Sequence, residues 1–189
     1  VLVNDVEPLV HTLTLKNSLF IGLSIGGMIA QGLAVKRLDL VSAMVLSNTA
    51  ARIGNRQIWE DRISRVKSSG MKSLTEETMK RWFSKKFVQN KEFNIWKNMF
   101  ERQAAEGYTG CAHAISGTDF YTPTSGLRLP TIAIAGSEDG STPPDLVRET
   151  CNLIPGSKFN LIKGAGHIPC VEAPKKYAKI LSDFMKELG

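Results

Sequence analysis

The sequence predicts an α/β fold built on a mostly parallel sheet. Two observations predict it: four short segments are apolar on both faces, and helical patterns alternate with them. The segments are Leu19-Phe20-Ile21, Ala43-Met44-Val45-Leu46, Thr131-Ile132-Ala133-Ile134-Ala135 and Phe159-Asn160-Leu161-Ile162. A strand covered by helices on both sides loses the polar alternation of a half-exposed one, so continuous apolar runs of this length suit a parallel sheet. After the first strand, Ile25, Met28, Ile29 and Leu33 fall at the spacing of an amphipathic helix. After the third, Pro143 and Pro144 stand where a first helical turn accepts proline, followed by Leu146, Val147, Thr150 and Leu153. After the fourth, Pro174 opens a helix whose Tyr177, Ile180, Leu181, Phe184 and Leu188 share one stripe. Strand and helix in this succession call for right-handed crossovers.

The stretch from Arg52 to Gly117 carries no strand pattern. It holds helical patches instead: Ile58-Trp59 with Ile63 and Val66, Met79 with Trp82 and Phe83, and Phe93 with Trp96, Met99 and Phe100. The expected organisation is a core of residues 1–51 and 118–189, with a helical cap of residues 52–117 inserted between two strands. All three tryptophans lie in the cap, where they either form its own core or wall a pocket.

Length and composition bound the rest. A chain of 189 residues, 42% hydrophobic and 22% charged, has enough apolar content to bury a core, which excludes wholesale disorder. No apolar run approaches the ~18–20 residues that span a bilayer, so no membrane partner is expected. Val1 to His11 contains Asn4, Asp5 and Glu7 and no basic leader, unlike a signal peptide. Cys111, Cys151 and Cys170 are odd in number and form no C-x-x-C pair. Disulfide frameworks and zinc sites need paired spacing, so the expectation is reduced thiols in a cytoplasmic protein with no metal. The net charge of +6, with a local excess from Arg52 to Lys86, fits a solvated surface or the attraction of a small anion. No nucleic-acid-binding motif accompanies it, and no nucleic-acid partner is expected.

Gly22-Leu23-Ser24-Ile25-Gly26 is a G-x-S-x-G pattern at the junction of the first strand and the helix after it. So sharp a turn strains the backbone of Ser24 and brings chain segments close, so the flanking positions must lack bulky side chains. Glycines at 22 and 26 meet that need. The turn lifts the serine hydroxyl above the sheet at a helix N-terminus, where the Ile25 N–H can donate to a developing oxyanion. A phosphate loop fails because Met28 stands where that motif needs lysine, and no G-x-G-x-x-G can be read.

A serine nucleophile needs a base and an orienting acid. Of the three histidines, His11 precedes the first strand and His113 lies in the insertion. His167, in Gly164-Ala165-Gly166-His167, directly follows the last strand, at the sheet edge where open α/β proteins build their sites. It is the expected base. The loop after the preceding strand, Gly136-Ser137-Glu138-Asp139-Gly140, offers the acid: Asp139 is the first choice and Glu138 the alternative. The order Ser, Asp, His along the chain is that of α/β-hydrolases and not of chymotrypsin or subtilisin. Dehalogenase chemistry would need a carboxylate where Ser24 stands.

The segments Phe20-Ile-Gly-Leu-Ser24-Ile-Gly-Gly-Met28, Leu46-Ser-Asn-Thr-Ala-Ala-Arg-Ile-Gly54, Ala135-Gly-Ser-Glu-Asp139-Gly-Ser-Thr-Pro-Pro144 and Gly164-Ala-Gly-His167 resemble those of 3-oxoadipate enol-lactonases. These are α/β-hydrolases of aromatic-compound catabolism, in the β-ketoadipate pathway. The similarity runs over essentially the whole chain; the run Ser47 to Gly54, Trp59 and Arg81-Trp82-Phe83 point to this family in particular. The resemblance implies hydrolysis of a lactone ring to 3-oxoadipate without a metal or organic cofactor. It implies a small anionic lactone with a free carboxylate, for which a cap arginine is the natural partner. Arg52 is expected first and Arg81 second, with Trp59 and Trp82 walling the pocket. Only Val1 to Asn17 precede the first strand here, whereas the superfamily sheet begins with several more. The expectation is therefore that an N-terminal part of ~60–90 residues, carrying the second oxyanion donor, is absent. Leu19-Phe20-Ile21 would then be a sheet edge. A general carboxylesterase or a carbon–carbon bond hydrolase would use the same three residues. A ligand-binding scaffold and an inactive fragment are the readings outside catalysis.

Overall fold

All four apolar segments form strands, and each strand runs slightly beyond its apolar letters. They are β1 (Ser18–Leu23), β2 (Val41–Ser47), β3 (Thr131–Gly136) and β4 (Lys158–Ile162). The computed structural model describes residues 2–189. The strands pair in the order β1-β2-β3-β4, every pair parallel. Around them lie α1 (Leu2–Thr12), α2 (Ile25–Lys36), α3 (Arg56–Ser69), α4 (Thr75–Trp82), α5 (Phe93–Glu101), α6 (Ala105–Ser116), α7 (Tyr121–Ser125), α8 (Pro144–Asn152), α9 (Pro169–Glu172) and α10 (Pro174–Leu188).

The strands divide one unbroken apolar string between two cores, because successive side chains leave a strand on opposite faces. Met44, Leu46, Ala133 and Ala135 pack on one face with Leu33, Val147 and Ile154. Ala43, Val45, Ile132 and Ile134 pack on the other with Ile162, Tyr177 and Phe184. Burial on both faces is what removed the polar alternation from the sequence.

Helix α8 opens with Pro144 at its first position and buries Val147, Thr150 and Cys151. Helix α10 opens with Pro174 and buries Tyr177 and Phe184, but Leu188, in its last turn, is 38% exposed and leaves the expected stripe. Helix α2 departs further from expectation. It is buried on nearly every side (Gly27, Met28, Ala30, Gln31, Gly32, Leu33 and Ala34) and is not amphipathic. It packs on β1 and β2 while α1 and α7 cover its outer side. The one large polar side chain in that environment is satisfied: Gln31 Nε2 donates to the Gly27 and Ala50 carbonyls at 3.1 and 3.3 Å, and its Oε1 accepts from Thr124 Oγ1 at 2.9 Å.

Between β2 and β3 the chain forms only helices and 3₁₀ turns from Arg56 to Ser116. These have their own core of Val66, Met71, Leu74, Met79, Phe83, Phe87 and Phe100, against which Trp82 and Trp96 pack. Ile168 and Val171, from the segment after β4, pack on the same cluster. The helical layer is thereby seated on the loop that carries His167. No helix among the described residues is long and apolar enough to cross a membrane.

Leu33 is fully buried, whereas Leu38 just beyond the same helix is 53% exposed. Leu33→Ala is expected to lower stability by about 2–5 kcal/mol and Leu38→Ala by less than about 0.5 kcal/mol. Urea unfolding followed by circular dichroism measures both.

Candidate active site

The parallel register brings four loop residues to one edge of the sheet. Ser24 follows β1, Asn48 follows β2, Asp139 lies just after β3 and His167 just after β4. The strand ends are aligned, with Leu23 opposite Ser47, Ser47 opposite Ile134 and Gly136 opposite Ile162. Each ladder continues one residue past its strand: Ser24 N donates to Ser47 O at 2.9 Å, Asn48 N to Ile134 O at 2.7 Å and Ser137 N to Ile162 O at 3.1 Å.

Ser24 has φ 54° and ψ −119°, a left-handed-side conformation that costs a non-glycine residue energy and holds it at a tight strand-to-helix turn. Ser24 O accepts from Gly27 N at 2.9 Å and from Thr49 Oγ1 at 2.6 Å, which ties the turn to the end of β2. Ile25 is the first residue of α2, so its N–H has no acceptor within the helix and stands at the positive end of the helix dipole. The glycine requirement differs from the expected one. A Cβ on Gly22 would collide with the Gly26 carbonyl and one on Gly27 with the Thr49 side chain, but a Cβ on Gly26 would meet nothing within 4 Å. It is the backbone at 26 that crowds Gly22; the Gly26 side-chain position is open.

Asp139 and His167 are in direct contact: His167 Nδ1 lies 2.8 Å from Asp139 Oδ2, and both side chains are almost completely buried. The carboxylate accepts from four further donors. Ser141 N and Thr142 N reach Oδ1 at 2.7 and 3.0 Å, while Asn48 Nδ2 and Thr142 Oγ1 reach Oδ2, each at 2.8 Å. Burial alone would raise the pKa of Asp139. The His167 hydrogen bond and charge, with the Asn48 and Ser141 donors, outweigh it and hold the group below the ordinary aspartate value. A carboxylate only accepts, so Nδ1 carries a proton, and in the neutral form of the ring Nε2 is the acceptor. Glu138 is turned elsewhere, its Oε2 accepting from Lys85 N at 3.1 Å.

The end of α4 is sewn to both loops. Gly140 N donates to Arg81 O at 2.9 Å and His167 N to Trp82 O at 2.7 Å. The Trp82 ring stacks on the imidazole with centroids 6.0 Å apart. Glu172 holds Gly166 N at 2.7 Å and Ser84 N at 3.0 Å through its two oxygens.

Ser24, Ile25 and His167 line one cavity of about 660 Å³, together with Trp59, Arg62, Arg81, Trp82 and Tyr108. The hydroxyl and the imidazole are not hydrogen-bonded to each other in this structure; such contacts commonly tighten only with substrate bound. Of the expected substrate contacts, Trp59, Arg81 and Trp82 reach the cavity. Arg52 does not. Phe120 N donates to Ala51 O at 2.9 Å, which brings Asp119 alongside, and Arg52 Nη1 faces Asp119 Oδ2 at 3.8 Å with its side chain half exposed. Arg62 takes its place in the wall. His11 and His113 are exposed and lie outside this cavity. Among the described residues no group of three or more His, Cys, Asp or Glu side chains could hold a metal ion.

The sequence reading missed Asn48, Thr142, Arg62 and Glu172. Asn48 carried a usable signal: Ser47-Asn48-Thr49 is a polar trio placed directly after a buried strand, and all three are fully buried. Buried polar groups of this kind need partners. Arg62 carried a weaker one, since it stands three residues after Trp59, on the same helix face.

With this geometry in hand, the family model described as alpha/beta hydrolase fold matches residues 1–174. The chain belongs to that family. It is similar to 3-oxoadipate enol-lactonase 2 of Acinetobacter baylyi, with 28% identity over 187 residues, covering 98% of this chain and 70% of that protein. Among solved structures, the enol-lactonase from Burkholderia xenovorans LB400 matches with a TM-score of 0.92 at 29% identity, covering 97% of this chain and 71% of that one. A thermophilic esterase from Thermogutta terrifontis matches with a TM-score of 0.90 at 26% identity, covering 98% and 71%.

Two outcomes follow from the site's packing and charge. Gly22→Ala is expected to destabilise by more than about 2 kcal/mol, whereas Gly26→Ala, inside a helix with open space, is expected to be neutral or stabilising by up to about 1 kcal/mol; urea midpoints separate them. Because the folded-state pKa of Asp139 is lowered, its stabilisation is fully present above about pH 4 and is lost as pH falls through the folded value. Melting temperatures recorded from about pH 6 down to pH 2 should therefore fall more steeply for the wild type than for Asp139→Asn.

Proposed function

We propose that this protein hydrolyses a small carboxylate-bearing lactone, of the 3-oxoadipate enol-lactone kind, by transferring the acyl group to Ser24 and then to water. The observation that carries the reading is the buried Asp139–His167 contact at 2.8 Å, with its imidazole on the same cavity wall as a serine at a strained turn. In the first half-reaction His167 Nε2 takes the Ser24 proton as Oγ bonds to the lactone carbonyl carbon. The carbonyl oxygen becomes an oxyanion beside the Ile25 N–H. Collapse of the tetrahedral species breaks the ring C–O bond, and the departing enol oxygen takes the proton from His167. Water then attacks the acyl-enzyme, gives its proton to His167 and releases the acid, and Ser24 recovers its proton. Asp139 keeps the imidazole in the required tautomer and offsets its transient charge. No metal or organic cofactor enters any step.

The substrate class rests on two further supports. The lactonase relatives named above are similar along nearly the whole chain, and the esterase from Thermogutta terrifontis is described with malate, a small dicarboxylate, bound. Arg81 in the cavity wall is the arginine this reading assigns to the substrate carboxylate; Trp59 and Trp82 enclose the ring. A general carboxylesterase is the second reading, favoured by relatives such as the pimeloyl-[acyl-carrier protein] methyl ester esterase of Wigglesworthia glossinidia brevipalpis, 24% identical over 189 residues.

The purified protein is expected to turn over the enol-lactone many times, faster than open-chain methyl esters. Ser24→Ala and His167→Ala should each lower kcat by about 10³-fold or more without loss of the folded state. Faster cleavage of the open esters would make it a carboxylesterase. Consumption that stops near one equivalent of ligand would make it a binding protein.

A further inference from the structure

We propose that Arg62 and Arg81 together form a single seat for the carboxylate of an anionic ester, on the cap wall of the cavity that holds Ser24. The proposal rests on the hydrolase reading and adds to it a residue, Arg62, and a ratio of two guanidinium groups to one ligand carboxylate.

The charge arithmetic of the wall is unbalanced. Both arginines line the cavity, and no Asp or Glu lines it among the described residues. Behind them sits one carboxylate, Glu77, shared among three arginines. Its Oε2 is engaged by Arg65 Nη1 at 2.6 Å; its Oε1 lies 3.4 Å from Arg81 Nη2 and 3.9 Å from Arg62 Nη2. Glu77 thus makes a short bond to Arg65, a long one to Arg81 and none to Arg62, and compensates the last two only in part. Three guanidinium charges against one carboxylate leave two in excess. Meanwhile the Nε groups of both Arg62 and Arg81 are enclosed without any acceptor. Burial, followed by the charge of Arg62, disfavours the charged form of Arg81. Arginine does not shed its proton in proteins, so the strain is relieved by an anion and not by titration.

Both side chains are held in place before any ligand arrives. Arg62, 11% exposed, donates from Nη2 to Thr78 Oγ1 at 2.9 Å and lies over the Trp59 ring at 5.4 Å. Arg81, 31% exposed, is steadied at its guanidinium by the Glu77 contact and at its backbone by the bond from Gly140 N, next to Asp139. Pre-positioned guanidinium groups in a mostly apolar wall bind an anion with little ordering cost and with weak screening by salt. A neutral ester of the same shape would leave them uncompensated, so the seat selects as well as binds.

Calorimetry with glutarate and with dimethyl glutarate, run on Ser24→Ala protein so that the diester is not cleaved, tests the seat without any turnover. Glutarate is expected to bind at least tenfold more tightly than the diester. Arg62→Met and Arg81→Met should each weaken glutarate by about tenfold to a hundredfold, and Arg62→Lys by less. In parallel, the ratio of kcat/KM for mono-4-nitrophenyl glutarate to that for 4-nitrophenyl pentanoate should fall by a similar factor in each methionine variant, through KM. Thermal melts identify any variant that fails to fold; if Arg62→Met does, Arg81→Met and Arg62→Lys carry the comparison. Equal binding of glutarate and its diester, an unchanged preference in the folded variants, or tighter arginine-dependent binding of inorganic phosphate would each overturn the proposal. Arginine-dependent glutarate binding in a protein that cleaves neither ester would support the seat while defeating the hydrolase reading.

Discussion

A single buried carboxylate organises the edge of this sheet. Asp139 has lost its water, which would ordinarily drive it to take up a proton. It stays charged because donors from three separate stretches of chain converge on its two oxygens: Asn48 after β2, the Ser141-Thr142 turn beside it, and His167 after β4. Those hydrogen bonds work in both directions. They keep the carboxylate ionised, and they fix the distance between loops whose sequence positions lie far apart. An imidazole held this way has one tautomer and one orientation, which is what a general base at a serine needs.

The sheet makes that convergence possible, and the helical layer gives it a use. Parallel strands in aligned register deliver their carboxyl ends to one edge, so residues separated by more than a hundred positions become neighbours without long connecting arms. The segment between β2 and β3 then roofs that edge with aromatic and apolar side chains. Such a roof lowers the local dielectric, so every charge inside acts over a longer range than it would in water. The same residues that shut out solvent therefore give the arginines in the wall their influence.

The strands, the strained backbone at Ser24 and the placing of Asp139 and His167 at neighbouring strand ends were legible in the sequence because each is a local pattern with a fixed relation to a strand end. An apolar run followed by glycines and a reactive side chain reads the same way at Ser24, Asp139 and His167. What could not be read depends on contacts between distant segments. Arg52 and Arg62 are both arginines of the same stretch; only the pairing of Ala51 with Phe120 turns the first toward Asp119 and away from the cavity. Asn48 looks like an ordinary loop residue until β2 and β3 lie side by side and its amide faces Asp139. Helix α2 has Ile25, Met28, Ile29 and Leu33 at the spacing of an amphipathic helix, but it is buried nearly all round because α1 and α7 cover the side expected to face water. Gly26 is small by pattern, yet the close approaches at this turn fall at Gly22 and Gly27.

The stitching of α4 to the Asp139 and His167 loops fixes one corner of the helical roof over the cavity. Arg81 and Trp82 hold Gly140 and His167 by their backbone carbonyls, so that corner of the roof cannot lift without breaking two hydrogen bonds to the loops that carry Asp139 and His167. Gln103 and Ala104, just before α6, and Gly107 and Cys111, within it, border the cavity and are themselves open to solvent. That sill is where the cavity wall meets solvent, on the side away from the imidazole's carboxylate.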